Sequence, residues 1–151
     1  MVDAENVRIV VSPTITADQL FAFYQKNDIC EKGFGKATAA KVLQHSSLIV
    51  GAFEGERLVG LARAMFDGLS ADIVDFCLDL EYQGAESVYA NGSIIEHDSR
   101  GVGKAMAEAL IGELLNMGAT FISTRAIANV EEWFWASLGF RLNEGSRDYI
   151  H

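Results

Sequence analysis

A glycine-rich basic segment, residues 100–105 (Arg-Gly-Val-Gly-Lys-Ala), precedes the strongest helical pattern in the 151-residue chain. Glycines let a backbone approach a ligand closely, and the first turn of a helix offers unpaired N–H groups to an anion. A P-loop would need a glycine at Asp98 and a serine or threonine at Ala105. A dinucleotide fingerprint would need a small residue at Met106. The segment is therefore either a phosphate-binding loop of another kind or a plain loop-to-helix turn.

The cysteines and histidines offer little further chemistry. Cys30 and Cys77 are too few for a disulfide framework or a cysteine-rich zinc site. His45 and His151 have no partners at the spacing of metal ligands, so we expect no bound metal.

Composition limits the class of protein. Half of the residues are hydrophobic, and 21 Asp and Glu outnumber 12 Lys and Arg, which gives a net charge of −9. The length predicts one domain, residues 1–151. The excess of acids argues against general nucleic-acid binding, which needs cations to neutralise phosphates. No apolar run is long enough for a membrane span, and residues 1–12 do not have the pattern of a signal peptide. We therefore expect a soluble, cytoplasmic protein that binds no membrane.

The hydrophobic pattern predicts the order β-α-α-β-β-β-α-β-α-β, an α+β domain with a mostly antiparallel sheet. Strands are expected at 8–11, 47–53, 57–66, 72–82 and 120–124, with a last strand around 148–150. Helices are expected from Thr14 or Thr16 through Tyr24, at 38–44, after 101–103 until Gly118, and from an Asn129–Glu132 capping pair through Leu138.

Two of these strands carry detailed predictions. Gly55 lies in a tight turn between residues 47–53 and 57–66, which indicates an antiparallel hairpin. Residues 72–82 alternate, with Val74, Phe76, Leu78 and Leu80 on one face and Asp75, Cys77, Asp79 and Glu81 on the other. The acids of this strand are thereby expected on a polar face.

Two further motifs flank the glycine-rich segment. Phe76-Cys77-Leu78 lies in the expected central strand, and Trp135-Ala-Ser-Leu-Gly-Phe140 ends the last helix. In this order and spacing the motifs make residues 47–140 resemble the GNAT acyltransferase superfamily. Segment 100–105 is similar to the end of its pyrophosphate-binding signature, residues 76–78 to the strand whose backbone pairs with the pantetheine arm, and residues 135–140 to its later Tyr-x-x-hydrophobic-Gly-Phe motif.

The resemblance implies a GNAT-like fold, a mixed, mostly antiparallel central sheet flanked by helices. It also implies acetyl-CoA as co-substrate and direct transfer of its acetyl group to a primary amine. The cofactor-binding residues that it implies are Phe76, Cys77, Leu78, Arg100, Gly101, Val102, Gly103, Lys104, Ala105, Asn129 and Trp135.

The chain departs from the family pattern at three points. Residues 85–99, hereafter the insertion, separate the lead-in to the phosphate loop from the loop itself. Asp98 stands where the family has Arg or Gln, so either Gln83 folds back into that role or the backbone amides suffice. Trp135 stands where the family often has the Tyr that reprotonates the thiolate, and an indole cannot do acid–base work.

Transfer to an amine needs a base. A lysine-like amine with a pKa of ~10.4 is about three units from neutrality, which costs ~4 kcal/mol unless the site lowers that pKa. Asp75 is the first candidate base, with Glu81, Glu96 and His97 as rivals, although each could be a solvated surface group. Backbone N–H groups near Cys77 would serve the thioester carbonyl, and Cys77 itself is more typical of a packing residue than of a nucleophile.

The distribution of charge indicates the class of acceptor substrate, and the three departures from the family pattern leave alternative functions open. Eight acids and no Lys or Arg lie between Arg63 and Arg100, which indicates either a solvated face or a groove for a cationic amine such as a polyamine, an aminoglycoside-like compound or a basic peptide end. The alternative functions are a catalytically silent acyl-CoA-binding or regulatory domain, and an interaction domain with the insertion as its surface. The aromatic run 133–135 could belong to the core, to a homodimer face or to a wall around the pantetheine arm.

Overall fold

The computed structural model describes residues 6–30, 33–84 and 86–151. Its five-stranded sheet has the order β1 (Arg8–Val11), β2 (Leu48–Glu54), β3 (Arg57–Phe66), β4 (Ser70–Leu78), β5 (Phe121–Thr124). The first four strands pair antiparallel, and β5 pairs parallel to β4. The helices are α1 (Ala17–Lys26), α2 (Lys36–His45), α3 (Leu80–Gln83), α4 (Val102–Asn116) and α5 (Glu132–Ser137). The predicted α+β class and the mixed, mostly antiparallel sheet are confirmed.

Each face of the sheet is covered by helices. Leu61 and Cys77 belong to the cluster of α1 and α2, whereas their chain neighbours Ala62 and Phe76 belong to the cluster that contains α4 and α5. Because successive residues of a strand point to opposite faces, the two hydrophobic clusters lie on opposite sides of the sheet. The central strands β3 and β4 are therefore buried on both faces along much of their length.

Local signals account for most element boundaries. Thr16, one of two predicted caps, begins α1 by accepting the Gln19 N–H at 3.1 Å. Gly55 turns the predicted β2–β3 hairpin with a φ of +60°, and Gly118 follows the end of α4 with a φ of +101°. These positions need a left-handed backbone, which glycine adopts without strain.

The predicted strand 72–82 is wrong at two points. The strand ends at Leu78, because the Asp79 side chain accepts the Glu81 N–H and begins the short helix α3. A β-bulge also interrupts the alternation, since Ile73 faces Ala64 and Asp75 faces Arg63. Val74 is the extra residue of the bulge and is exposed, contrary to the predicted apolar face.

The C-terminal predictions need two corrections. No strand forms at 148–150, where Tyr149 and Ile150 are exposed and no neighbouring strand pairs with them in the described chain. Helix α5 begins after Glu131 rather than at Asn129, although the Asn129 N–H still donates to the Glu132 side chain at 3.3 Å. Within the described residues, no helix is long and apolar enough to cross a bilayer.

Candidate functional site

A cleft of about 740 Å³ opens where β4 and β5 part. The two strands pair only as far as Ile73 and Thr124, while β4 continues to Leu78. Their separation leaves a space closed by the α1–α2 loop, the insertion and α5. Its lining residues are Asp28, Ile29, Cys30, residues 72–76, Asn91, Ser93, Thr124, Arg125, Glu131 and Trp135.

Asp75 lies in this cleft and is held by three donors. Its Oδ2 accepts the Arg63 Nε–H at 3.0 Å and the Tyr24 hydroxyl, and its Oδ1 accepts the Cys77 thiol at 3.0 Å. Burial, and then the Asp75 carboxylate, raise the pKa of both Tyr24 and Cys77. Both groups are therefore protonated at neutral pH, and Cys77 is a buried thiol rather than a thiolate.

The other predicted carboxylates lie outside the cleft lining. Glu81 forms an ion pair with Arg57 and lies 3.5 Å from Lys26 Nζ; the Arg57 hydrogen bond lowers the pKa of Glu81. Glu96 folds the insertion onto itself, accepting the Val88 N–H at 2.9 Å. Glu96 and His97 line a second cavity, of about 520 Å³.

The described part of the insertion, residues 86–99, packs against the end of β4. The Leu78 N–H donates to the Gly92 carbonyl at 2.8 Å, and the Gly92 N–H donates to the Asn27 carbonyl at 2.8 Å. Ile95 is fully buried, and its N–H donates to the Glu131 carboxylate at 2.9 Å. Gly92 and Ile95 thus tie the described part of the insertion to the folded core, whereas Val88 and Tyr89 are exposed.

Gln83 anchors the insertion. Its buried carboxamide donates to the carbonyls of Leu78 at 3.3 Å and Ile94 at 3.1 Å, and accepts the N–H groups of Glu96 at 3.1 Å and His97 at 3.3 Å. All four of these hydrogen bonds are to β4 or to the insertion. The structure therefore does not bring Gln83 to the glycine-rich loop, which was one of the two predicted substitutes for the missing Arg or Gln.

Asp98 occupies the helix end that was predicted to bind an anion. Its Oδ1 accepts the Gly103 N–H and its Oδ2 accepts the Lys104 N–H, each at 2.8 Å. Gly101 precedes α4 with a φ of +74°, and its N–H donates to the Asp98 carbonyl at 3.2 Å. The Arg100 guanidinium lies 4.7 Å from the centre of the Tyr82 ring. A carboxylate is thus bound where the family resemblance implies a diphosphate.

The residue types of this loop nevertheless fit a diphosphate once Asp98 has moved. A Cβ at position 103 would lie 3.1 Å from the Asp98 carboxylate, in the space that an anion bound to these amides would occupy. Gly103 leaves that space free of a side chain. Arg100 and Lys104 belong to the same segment and are the residue types that pair with phosphate oxygens. Losing a helix-capping carboxylate costs about 0.5–2 kcal/mol, whereas a micromolar ligand gains about 8 kcal/mol on binding.

The remaining predicted cofactor residues divide into two groups. Phe76 and Trp135 line the cleft with their rings 5.1 Å apart, and the buried Trp135 Nε1 has no hydrogen-bond partner among the described residues. Cys77 and Leu78 are buried beside the cleft without lining it, and the exposed Asn129 lies outside the lining.

Four residues that build this region were not predicted from the sequence: Tyr24, Asn27, Arg63 and Glu131. Arg63 faces Asp75 directly across the β3–β4 ladder, so a correct hairpin register could have revealed that pair. Asn27 is buried, accepts the Leu80 N–H at 2.9 Å and joins α1 to α3. Nothing in the local sequence around Asn27 or Glu131 indicates their long-range partners.

Comparison with known proteins gives matches among solved structures alone: no family model and no curated protein matches the sequence. A probable acetyltransferase from meticillin-resistant Staphylococcus aureus is 20% identical, with a TM-score of 0.72, covering 96% of this chain and 98% of its own. A GNAT-family acetyltransferase from Streptococcus pneumoniae is 19% identical, with a TM-score of 0.66 and the same coverage. Glucosamine-6-phosphate N-acetyltransferase from Arabidopsis thaliana is 10% identical, with a TM-score of 0.67, covering 95% and 98%.

Proposed function

We propose, starting from the GNAT fold that this chain has, that it is an N-acetyltransferase that uses acetyl-CoA and acts on a cationic primary amine by direct attack. The observation that carries the proposal is the cleft between the diverging strands β4 and β5, with Asp75 in its lining. The cleft is open to solvent at one end of the sheet and is large enough for a small acceptor.

The charge of the cleft supports a cationic acceptor. Four carboxylates, those of Asp28, Asp72, Asp75 and Glu131, line it against one guanidinium, that of Arg125. Asp75 is partly neutralised by Arg63, and Glu131 is enclosed by backbone N–H groups. The exposed Asp28 and Asp72 carry the charge that an approaching ammonium group would meet.

Most acids between Arg63 and Arg100 form structural contacts outside the cleft. Asp79 and Asp98 cap helices, Asp67 caps a turn, Glu81 pairs with Arg57, and Glu96 folds the insertion. Only Asp72 and Asp75 of the eight acids line the cleft, where Asp28 and Glu131 from other segments join them. The acceptor groove of the proposal is therefore assembled from several elements rather than from one acidic strand.

The proposed site separates cofactor binding from proton transfer. Segment 100–105 would hold the diphosphate and residues 76–78 would lie along the pantetheine arm. When bound, acetyl-CoA supplies an acetyl group activated as a thioester. Asp75 is the proposed base, since it alone of the predicted carboxylates lines the cleft, and it would accept the amine proton directly or through water. Arg63, Tyr24 and Cys77 fix the Asp75 side chain in one orientation.

A second candidate is a catalytically silent acyl-CoA-binding or regulatory domain. Two observations favour it: Asp98 already satisfies the Gly103 and Lys104 amides, and Trp135 offers no proton for the leaving thiolate. This candidate shares the cofactor site with the first and differs from it in turnover.

Release of free thiol from acetyl-CoA, measured over a panel of amines, tests the proposal. We expect turnover with polyamines, aminoglycosides or basic peptides, and little with neutral or anionic amines. Asp75→Asn should lower kcat at least tenfold, whereas Glu108→Gln, which removes a charge from the exposed face of α4, should not. Thermal protection by CoA without turnover would favour the silent domain. Acetylation of neutral or anionic amines alone would reject the acceptor class.

A further inference from the structure

The Asp98 carboxylate resembles a bound ligand in its contacts. Each of its two oxygens accepts one N–H of the first turn of α4, at 2.8 Å in both cases. Two phosphate oxygens could accept the same two N–H groups. The carboxylate and an anionic ligand cannot occupy these two amides at the same time.

The contacts of the insertion separate a fixed part from a movable part. Gly92 is bonded to Leu78 and Asn27, and Ile95 is fully buried and bonded to Glu131. These residues cannot leave without opening the core. Asp98 is only half-buried, and a rotation of its side chain breaks two hydrogen bonds without moving the backbone.

We propose that Asp98 is an internal competitor for the diphosphate of acyl-CoA, and that its side chain swings away from the Gly103 and Lys104 amides when the cofactor binds. Residues 92–95 stay in place during this exchange. The identity of the displacing ligand rests on the proposed function; the competition itself rests on the two hydrogen bonds. Asp98 therefore sets the affinity of this chain for its cofactor while it completes the helix end in the cofactor's absence.

A displaced Asp98 weakens binding for two reasons. The free carboxylate loses its helix cap, and its negative charge remains within a side-chain length of the bound phosphates. Arg100 and Lys104 flank the same loop and offset part of that repulsion. Replacing Asp98 by Asn removes the charge but leaves an amide oxygen that can still accept one of the two N–H groups.

The test compares Asp98→Asn with Glu86→Gln by isothermal titration with CoA and by thermal unfolding without ligand. Both substitutions remove one charge from the insertion, but Glu86 is exposed, whereas Asp98 caps the first turn of α4. We expect Asp98→Asn to bind CoA about tenfold more tightly than the wild type, about 1.4 kcal/mol. The same variant should unfold at a lower temperature without ligand, because its helix cap is weaker. Glu86→Gln should leave both values unchanged.

The opposite signs of these two effects distinguish competition from a purely structural role, which would lower stability without improving binding. Equal or weaker CoA binding by Asp98→Asn would overturn the competition, as would equal gains in both variants. No binding by either protein at millimolar CoA would also overturn it. Tighter binding by Asp98→Asn without amine acetylation would support the competition and reject the acetyltransferase. Amine acetylation together with equal CoA affinity in the wild type and Asp98→Asn would support the acetyltransferase and reject the competition.

Discussion

Replacing Gln83 with Met should release the insertion from the core. The Gln83 carboxamide makes four hydrogen bonds to backbone groups of Leu78, Ile94, Glu96 and His97, and Met preserves its length without any of them. A buried hydrogen bond contributes about 0.5–1.5 kcal/mol net, and two of these four are long, at 3.3 Å. We therefore expect the free energy of opening of residues 86–99 to fall by about 2–3 kcal/mol.

Native-state hydrogen exchange measures this opening directly. The N–H groups of Gly92 and Ile95, which bond to Asn27 and Glu131, should exchange about 30- to 150-fold faster, since 1.4 kcal/mol is tenfold. Amides in the β2–β3 ladder should change much less. Gln25→Met, on the exposed face of α1, is the matched control. Unchanged protection of Gly92 and Ile95 would refute Gln83 as the anchor of the insertion.

Three other changes test separate parts of the fold. Gly92→Ala places a Cβ 2.7 Å from Asn27 Cβ and should lower the free energy of unfolding by about 1–3 kcal/mol in urea titrations; an unchanged midpoint would contradict the packing described. Burial raises the pKa of Cys77, so the unfolded thiol ionises first, and stability should fall above pH ~8.5 by up to ~1.4 kcal/mol per pH unit. Cys77→Ala should remove this decrease in unfolding free energy between pH 8.5 and 9.5. The same pH dependence in wild type and variant would show that the Cys77 thiol does not cause it. Arg63→Met leaves Asp75 without its cation and should cost about 3 kcal/mol of unfolding free energy, partly recovered when Asp75→Asn is added; equal loss in the double variant would argue against the pair.

The sheet strands and their hairpin could be predicted from the sequence because they depend on the local alternation of hydrophobic residues and on the turn residues. The boundaries of β2 and β3 agree with the predictions within about one residue, and Gly55 forms the predicted turn. The end of β4 could not be predicted, because an aspartate at position 79 is compatible both with an outward-facing strand position and with a helix cap. The bulge at Val74 was also hidden, since it arises from pairing with β3.

The candidate site was partly readable. Asp98 was identified as an acid in place of the family's Arg or Gln, but its capping of the Gly103 and Lys104 N–H groups was not predicted, although an acid a few residues before a helix is typical of a cap. The role of Gln83 was missed because its four backbone partners come from β4 and the insertion rather than from the loop before α4. The two cleft acids outside the acidic stretch, Asp28 and Glu131, are brought to β4 by tertiary structure, which no spacing in the chain records.

A crystal structure with CoA at saturating concentration would show directly whether the diphosphate displaces Asp98 from α4. We predict elongated density along residues 76–78 of β4, with the diphosphate on the Gly103 and Lys104 amides and the Asp98 side chain turned away. Gly92 should remain bonded to Leu78. A structure in which Asp98 still holds both amides, with no density along β4 under the same conditions, would contradict the account.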